Sequence, residues 1–91
     1  MLAEDRYLVV TYRHGKAMAA YLHFPDMQSE RAARTRKMGP DLVVDFAADG
    51  RPIGLEIISP ATVTLQDVNE VLRSLNKEAM PEEELAPLKA G

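Results

Sequence analysis

The stretch DLVVDFA, ADGR, PIGLEIIS, running from Asp41 to Ser59, restricts what this chain can fold into more than any other part of it. Val, Ile and Phe recur at alternate positions, as half-buried strands require, and Asp49-Gly50 supplies a turn between them. Gly accepts the positive φ that a tight hairpin demands, and Asp tolerates it. A two-residue loop at Asp49-Gly50 sets Phe46 opposite Ile53, Val44 opposite Leu55 and Leu42 opposite Ile57, so that all of these apolar side chains share one face. A three-residue loop sets Val44 opposite Gly54 and fails that test, unless a bulge restores the alternation. The other face carries Val43, Asp45, Gly54, Glu56 and Ile58. Pro52 is expected opposite Ala47 at a non-hydrogen-bonded pair, with the start of its strand unpaired on the outer side.

A second hairpin precedes it. YLVVTYR (Tyr7 to Arg13) and AMAAYLHF (Ala17 to Phe24) are rich in β-branched and aromatic residues, and His14-Gly15 reads as a two-residue loop. That loop puts Tyr7, Val9 and Thr11 on one face with Leu22, Ala20 and Met18, and Leu8, Val10, Tyr12, Ala17, Ala19 and Tyr21 on the other. Both faces are fairly apolar. Pro25 to Pro40 has no sustained period and reads as a long connection, with one helical turn around Ser29 to Arg34. Beyond Pro60, Thr64 is a good N-cap and Asp67 can complete a capping box. Leu65, Val68, Leu72 and Leu75 then recur at helical spacing, predicting a helix from Thr64 to about Glu78 that Pro81 stops. The expected fold is α+β: a mainly antiparallel four-stranded sheet of two hairpins packed against one C-terminal helix, with residues 1–80 as one domain and 81–91 as a mobile tail.

Ninety-one residues suit one domain with a thin core, since a chain this short buries only about 60% of the surface it exposes unfolded. With no cysteine, disulfides, thiolate zinc sites and cysteine nucleophiles are excluded. No apolar run approaches the roughly 18 residues that span a bilayer, and Met1 to Arg6 is charged where a signal peptide would be apolar. The expected location is the cytoplasm, without membrane contact. A net charge of -3 weighs against a chain that lives on nucleic acid.

Candidate chemistry is sparse. His14 falls in a turn and His23 on a strand, and neither has the carboxylate spacing of a metal site. Asp45 and Glu56 share a face of adjacent strands at a diagonal offset, a pair that could do acid and base work or hold a divalent cation, although outward carboxylates also simply keep a half-exposed sheet soluble. Arg31, Arg34, Arg36 and Lys37, with Arg51, could gather around an anion or an acidic partner. No aromatic residue interleaves from Met27 to Pro40, so a stacking platform for single strands is missing. No catalytic residue, metal ligand or cofactor is assigned.

The string VVDFAADGRPIGLEIISPAT, Val43 to Thr62, resembles the signature of the YuzE-like proteins, a small bacterial family of unknown function. Asp49, Gly50, Gly54, Leu55, Glu56, Ile57 and Ile58 carry the likeness, and AAYLHF resembles the family's earlier strand. Pro52, the long basic connection and the appended helix depart from it. The resemblance implies a compact β-rich fold and transfers no catalytic residue. Some members are thought to be encoded beside toxin-like proteins, which opens an antitoxin-type role. Three expectations follow from residues and resemblance together. The first is a self-associating interaction module, a dimer through Leu8, Val10, Tyr12 and Tyr21. The second is an antitoxin-like regulator that contacts a toxin partner or nucleic acid through residues 31–37. The third is a small cation-dependent hydrolase around Asp45 and Glu56.

Overall fold

His14 and Gly15 both take positive φ, 54° and 79°, in the computed structural model, which describes residues 7–24 and 31–89. Two successive positive φ angles make the primed turn whose twist matches its flanking strands, so β1 (Tyr7–Arg13) and β2 (Lys16–His23) form the expected hairpin. Its register differs from the simple reading. Thr11 faces Ala19 and Tyr12 faces Ala17, leaving Met18 as a bulge, and the shift continues so that Leu8 faces Leu22 and Val10 faces Ala20. The expected grouping of Tyr7, Val9 and Thr11 with Leu22 and Ala20 is thereby corrected. The exchange turns Leu8 and Val10 toward the core in place of Val9 and Thr11, burying more hydrocarbon and no hydroxyl.

The second hairpin joins β4 (Leu42–Phe46) to β5 (Pro52–Ile57). Its loop holds three residues, not two. Ala47 N–H donates to Arg51 O at 2.9 Å, and Gly50, at φ 93°, donates its N–H to Ala47 O at 2.9 Å. The alternation survives because Ile53 bulges out of register: Phe46 faces Pro52, whereas Val44 and Leu42 keep Leu55 and Ile57 as expected. Ile53 buries with Ala47 in a small cluster of its own.

The sheet has a fifth strand. β3 (Arg34–Gly39) pairs antiparallel with β4 in the segment expected to be a connection, and the order is β1-β2-β5-β4-β3. Of the helical turn expected at Ser29 to Arg34, Ser29 and Glu30 lie outside the described residues, and Arg34 begins β3. β3 carries no alternating apolar pattern, which is why periodicity does not reveal it; its partner strand supplies the buried side chains.

α1 (Leu65–Ser74) opens on the expected capping box between Thr64 and Asp67. It closes earlier than Glu78. Asn76 takes φ 59°, its N–H donates to Arg73 O at 3.0 Å, and the Lys77 N–H donates to Leu72 O at 2.8 Å, the pairing of a Schellman cap. A second helix, α2 (Glu82–Lys89), forms where a mobile tail was expected. The Asn69 side chain ties the intervening segment down: its Oδ1 accepts from Met80 N–H at 2.7 Å and its Nδ2 donates to Met80 O at 3.1 Å. Leu22, Phe24, Val44, Leu55 and Ile57 from the sheet, Val68, Val71 and Leu72 from α1, and Met80, Leu85 and Leu88 make one core on one side of the sheet. No described helix covers the other side, where Val9 remains 46% exposed.

Candidate functional site

The uncovered face is organised around one tyrosine. Tyr21 on β2 faces Glu56 on β5, and the position beside Glu56 on that face of β5 is Gly54. The ring of Tyr21 lies across Gly54 and extends to β4, where its hydroxyl donates to Asp45 Oδ2 at 2.7 Å. A methyl group at Gly54 would stand 2.7 Å from both Cζ and Oη of that ring, so only glycine permits the crossing. The His23 ring packs beside it, with centroids 4.6 Å apart and planes tilted by 51°. Burial, followed by the hydrogen bond to Asp45 and the charges of Asp45 and Glu56, holds the Tyr21 phenol well above the usual tyrosine range. It is a hydrogen-bond donor and not a nucleophile under ordinary conditions.

Asp45 and Glu56 do share this face, at the expected diagonal: Asp45 faces Gly54 and Val43 faces Glu56. Asp45 spends one oxygen on Tyr21. Among the described residues, no group of three or more His, Asp and Glu side chains is placed to hold a metal ion. His14 is exposed in its turn.

The other predicted residues do not converge. Leu8 and Val10 pack against the core, and Tyr12, on the same side, donates its hydroxyl to Pro87 O of α2 at 3.0 Å. Tyr21 lies on the opposite face, so these four do not form one surface. The basic residues are also divided. Arg31, Arg34, Arg36 and Lys37 are all exposed, but alternation along β3 sends Lys37 to the open face with Thr35, and Arg34 and Arg36 to the helix side. Arg51 is engaged elsewhere, its Nε donating to Asp49 Oδ2 at 2.6 Å. The Arg51 backbone N–H and then its side chain hold the Asp49 carboxyl below the ordinary range.

Sequence reasoning missed a cleft of about 460 Å³ between the β3–β4 connection and α1. It joins residues 38–42 to residues 62–74, and nothing local signals their meeting. The strongest available hint was the acidic stripe Asp67 and Glu70 on α1.

Comparison with known proteins reaches the same sheet. Residues 17–59 match the family model of a protein of unknown function, DUF2283. The match starts in β2 and ends just past β5, so it contains Tyr21, Asp45, Gly54 and Glu56 and leaves β1, α1 and α2 outside. Neither a curated protein nor a solved structure matches the chain. No described helix is long and apolar enough to cross a membrane.

Proposed function

We propose that this is a non-enzymatic, cytoplasmic protein-interaction module that self-associates, β1 of one copy pairing antiparallel with β1 of a second. The observation that carries this reading is the contrast between the two edges of the sheet. β3 presents Arg34, Arg36 and Lys37, the kind of charge that blunts an edge against pairing. β1 holds no charge from Tyr7 to Tyr12, contains no proline, and leaves Val9 46% exposed. A two-fold axis through β1 would join two five-stranded sheets into one and give the exposed valines a partner. The test is solution mass by light scattering over a concentration series. A dimer is expected for the natural chain, and a monomer with an unchanged circular dichroism spectrum for Val9→Lys, which places like charges close together across the new pair. A natural chain that stays monomeric throughout would overturn the reading.

A second reading is favoured by the exposed β3 edge. Arg34, Arg36 and Lys37 there could contact a toxin-like protein or nucleic acid, the antitoxin-type role. Arg34 and Arg36 border a shallow hollow of about 330 Å³ with Phe46 and Gly50. Binding of this kind would fall steeply with added salt, and salt-insensitive binding would sink it.

A further inference from the structure

The cleft between the β3–β4 connection and α1 has the chemistry of a ligand site unrelated to β1 pairing. Its floor is apolar: Leu42, Val63 and Val71 are all buried. Its rim is acidic, with Asp41 from the strand connection and Asp67 and Glu70 from α1, and no lysine or arginine lines it. At about 460 Å³ it falls within the usual size of small-molecule sites. We propose that this cleft binds a small aliphatic amine or guanidine, the cationic head among the carboxylates and the alkyl stem on the floor.

Three observations select that class of ligand. One oxygen of each carboxylate is anchored by the protein: Asp41 Oδ2 accepts from the Thr62 hydroxyl at 3.0 Å, Asp67 Oδ2 from the Thr64 N–H at 3.2 Å, and Glu70 Oε1 from Gln66 Nε2 at 3.3 Å. An ionised carboxylate offers about four acceptor positions, so these bonds orient the groups and leave capacity for a guest. The N-terminus of α1 borders the cleft and favours anions, but it contributes only about half a positive charge against three carboxylates. An anion is therefore the wrong guest. The three acids do not converge on one point as metal ligands would, which suits an extended organic cation with several donors better than a compact ion. The apolar floor supplies what a bare ammonium ion could not use.

The probe is agmatine, a guanidinium and an ammonium joined by a butyl stem, titrated into the full chain and followed by two-dimensional amide NMR. Saturable shifts are expected at residues 38–42 and 62–74, and Glu70→Gln, an exposed helix substitution that should leave the fold intact, should weaken binding severalfold. Asp41→Asn combined with Glu70→Gln should weaken it by about tenfold or more, because two charge-assisted contacts are lost. The amide spectrum of each variant reports in the same experiment whether it is folded. Shifts that fail to saturate, or equal affinity in natural chain and Glu70→Gln, would overturn the proposal. So would equal affinity for 1-butanol, which has the stem without the charge. Self-association is read separately from mass, and β4, which leads into the cleft, lies three strands from edge β1 in the sheet, so either idea can fail alone.

Discussion

Replacing Gly54 by alanine tests the arrangement on the open face most directly. In an ordinary strand position this change helps, by about 0.5–1 kcal/mol, because glycine loses more freedom on folding. Here the new methyl group would stand 2.7 Å from Cζ and Oη of Tyr21, well inside van der Waals contact, so the ring must leave its place over β5. The hydroxyl then loses Asp45. A hydrogen bond to a charged partner contributes about 1.5–3 kcal/mol, and the lower end applies because Asp45 is only half-buried and water can replace the tyrosine. Lost ring contacts roughly cancel the backbone gain, and the net expected cost is that of the hydrogen bond, about 1.5 kcal/mol. Tyr21→Phe keeps the ring, loses the same hydrogen bond and should also cost about 1.5 kcal/mol. The decisive variant is Gly54→Ala introduced into Tyr21→Ala. With no ring to displace, the same methyl group should be neutral or stabilising by up to about 1 kcal/mol. Urea unfolding followed by circular dichroism gives all four corners of the cycle. An equal cost for Gly54→Ala in both backgrounds would refute the argument that Tyr21 is what demands glycine.

The same tyrosine gives a pH dependence. Its phenol is raised above the unfolded value of about 10, so its contribution is whole below about pH 10 and is lost as pH climbs above that toward the folded value. Stability should fall across that window for the natural chain and fall less for Tyr21→Phe; identical curves in urea-midpoint measurements would contradict this. Asn69→Ala should cost about 2 kcal/mol, because it strands both backbone groups of the buried Met80, and amides of α2 should exchange faster with deuterium. Leu88→Ala should destabilise by about 2–5 kcal/mol in the same urea assay if α2 belongs to the core, whereas a detached tail would show no change. Thr64→Ala removes the cap that starts α1 and should cost about 1 kcal/mol.

What could be read from sequence was what alternation and local chemistry determine. Asp49-Gly50 and the runs around it were enough to pair Leu42 with Ile57 and Val44 with Leu55, and Thr64 with Asp67 marked the start of α1. Errors arose where one residue shifts a register or a distant contact decides. Met18 contributes nothing locally to mark it as a bulge; it is displaced because β5 fixes the inward face of β2, and Leu8 and Val10 are the better residues of β1 to set behind it. Asn76 has no glycine's reputation as a helix terminator, yet its left-handed φ ends α1 before Pro81 is reached. α2 looks like a charged tail, with a proline inside it, until Leu85 and Leu88 find the core.

The candidate site was half legible for the same reason. Asp45 and Glu56 could be placed on one face from their own hairpin, but Tyr21 could not be added to them without the strand order. Chain order alone would set β3 beside β2. Burial argues otherwise: Ile53, Gly54, Leu55 and Ile57 of β5 are all buried, whereas β3 exposes Arg34, Thr35, Arg36 and Lys37. A strand buried to that degree needs neighbours on both sides, and a strand so charged is tolerated at an edge. Moving β5 inward and β3 outward brings β2 against β5, places Gly54 between Tyr21 and Asp45, and so creates the contact between residues 24 positions apart. The same move leaves β1, the less charged of the two outer strands, with its outer side open among the described residues, and it carries residues 38–42 beneath α1 to shape the acidic cleft. The open face, the uncharged edge and the cleft are consequences of one topological choice, which the solubility requirements of β3 and β5 impose.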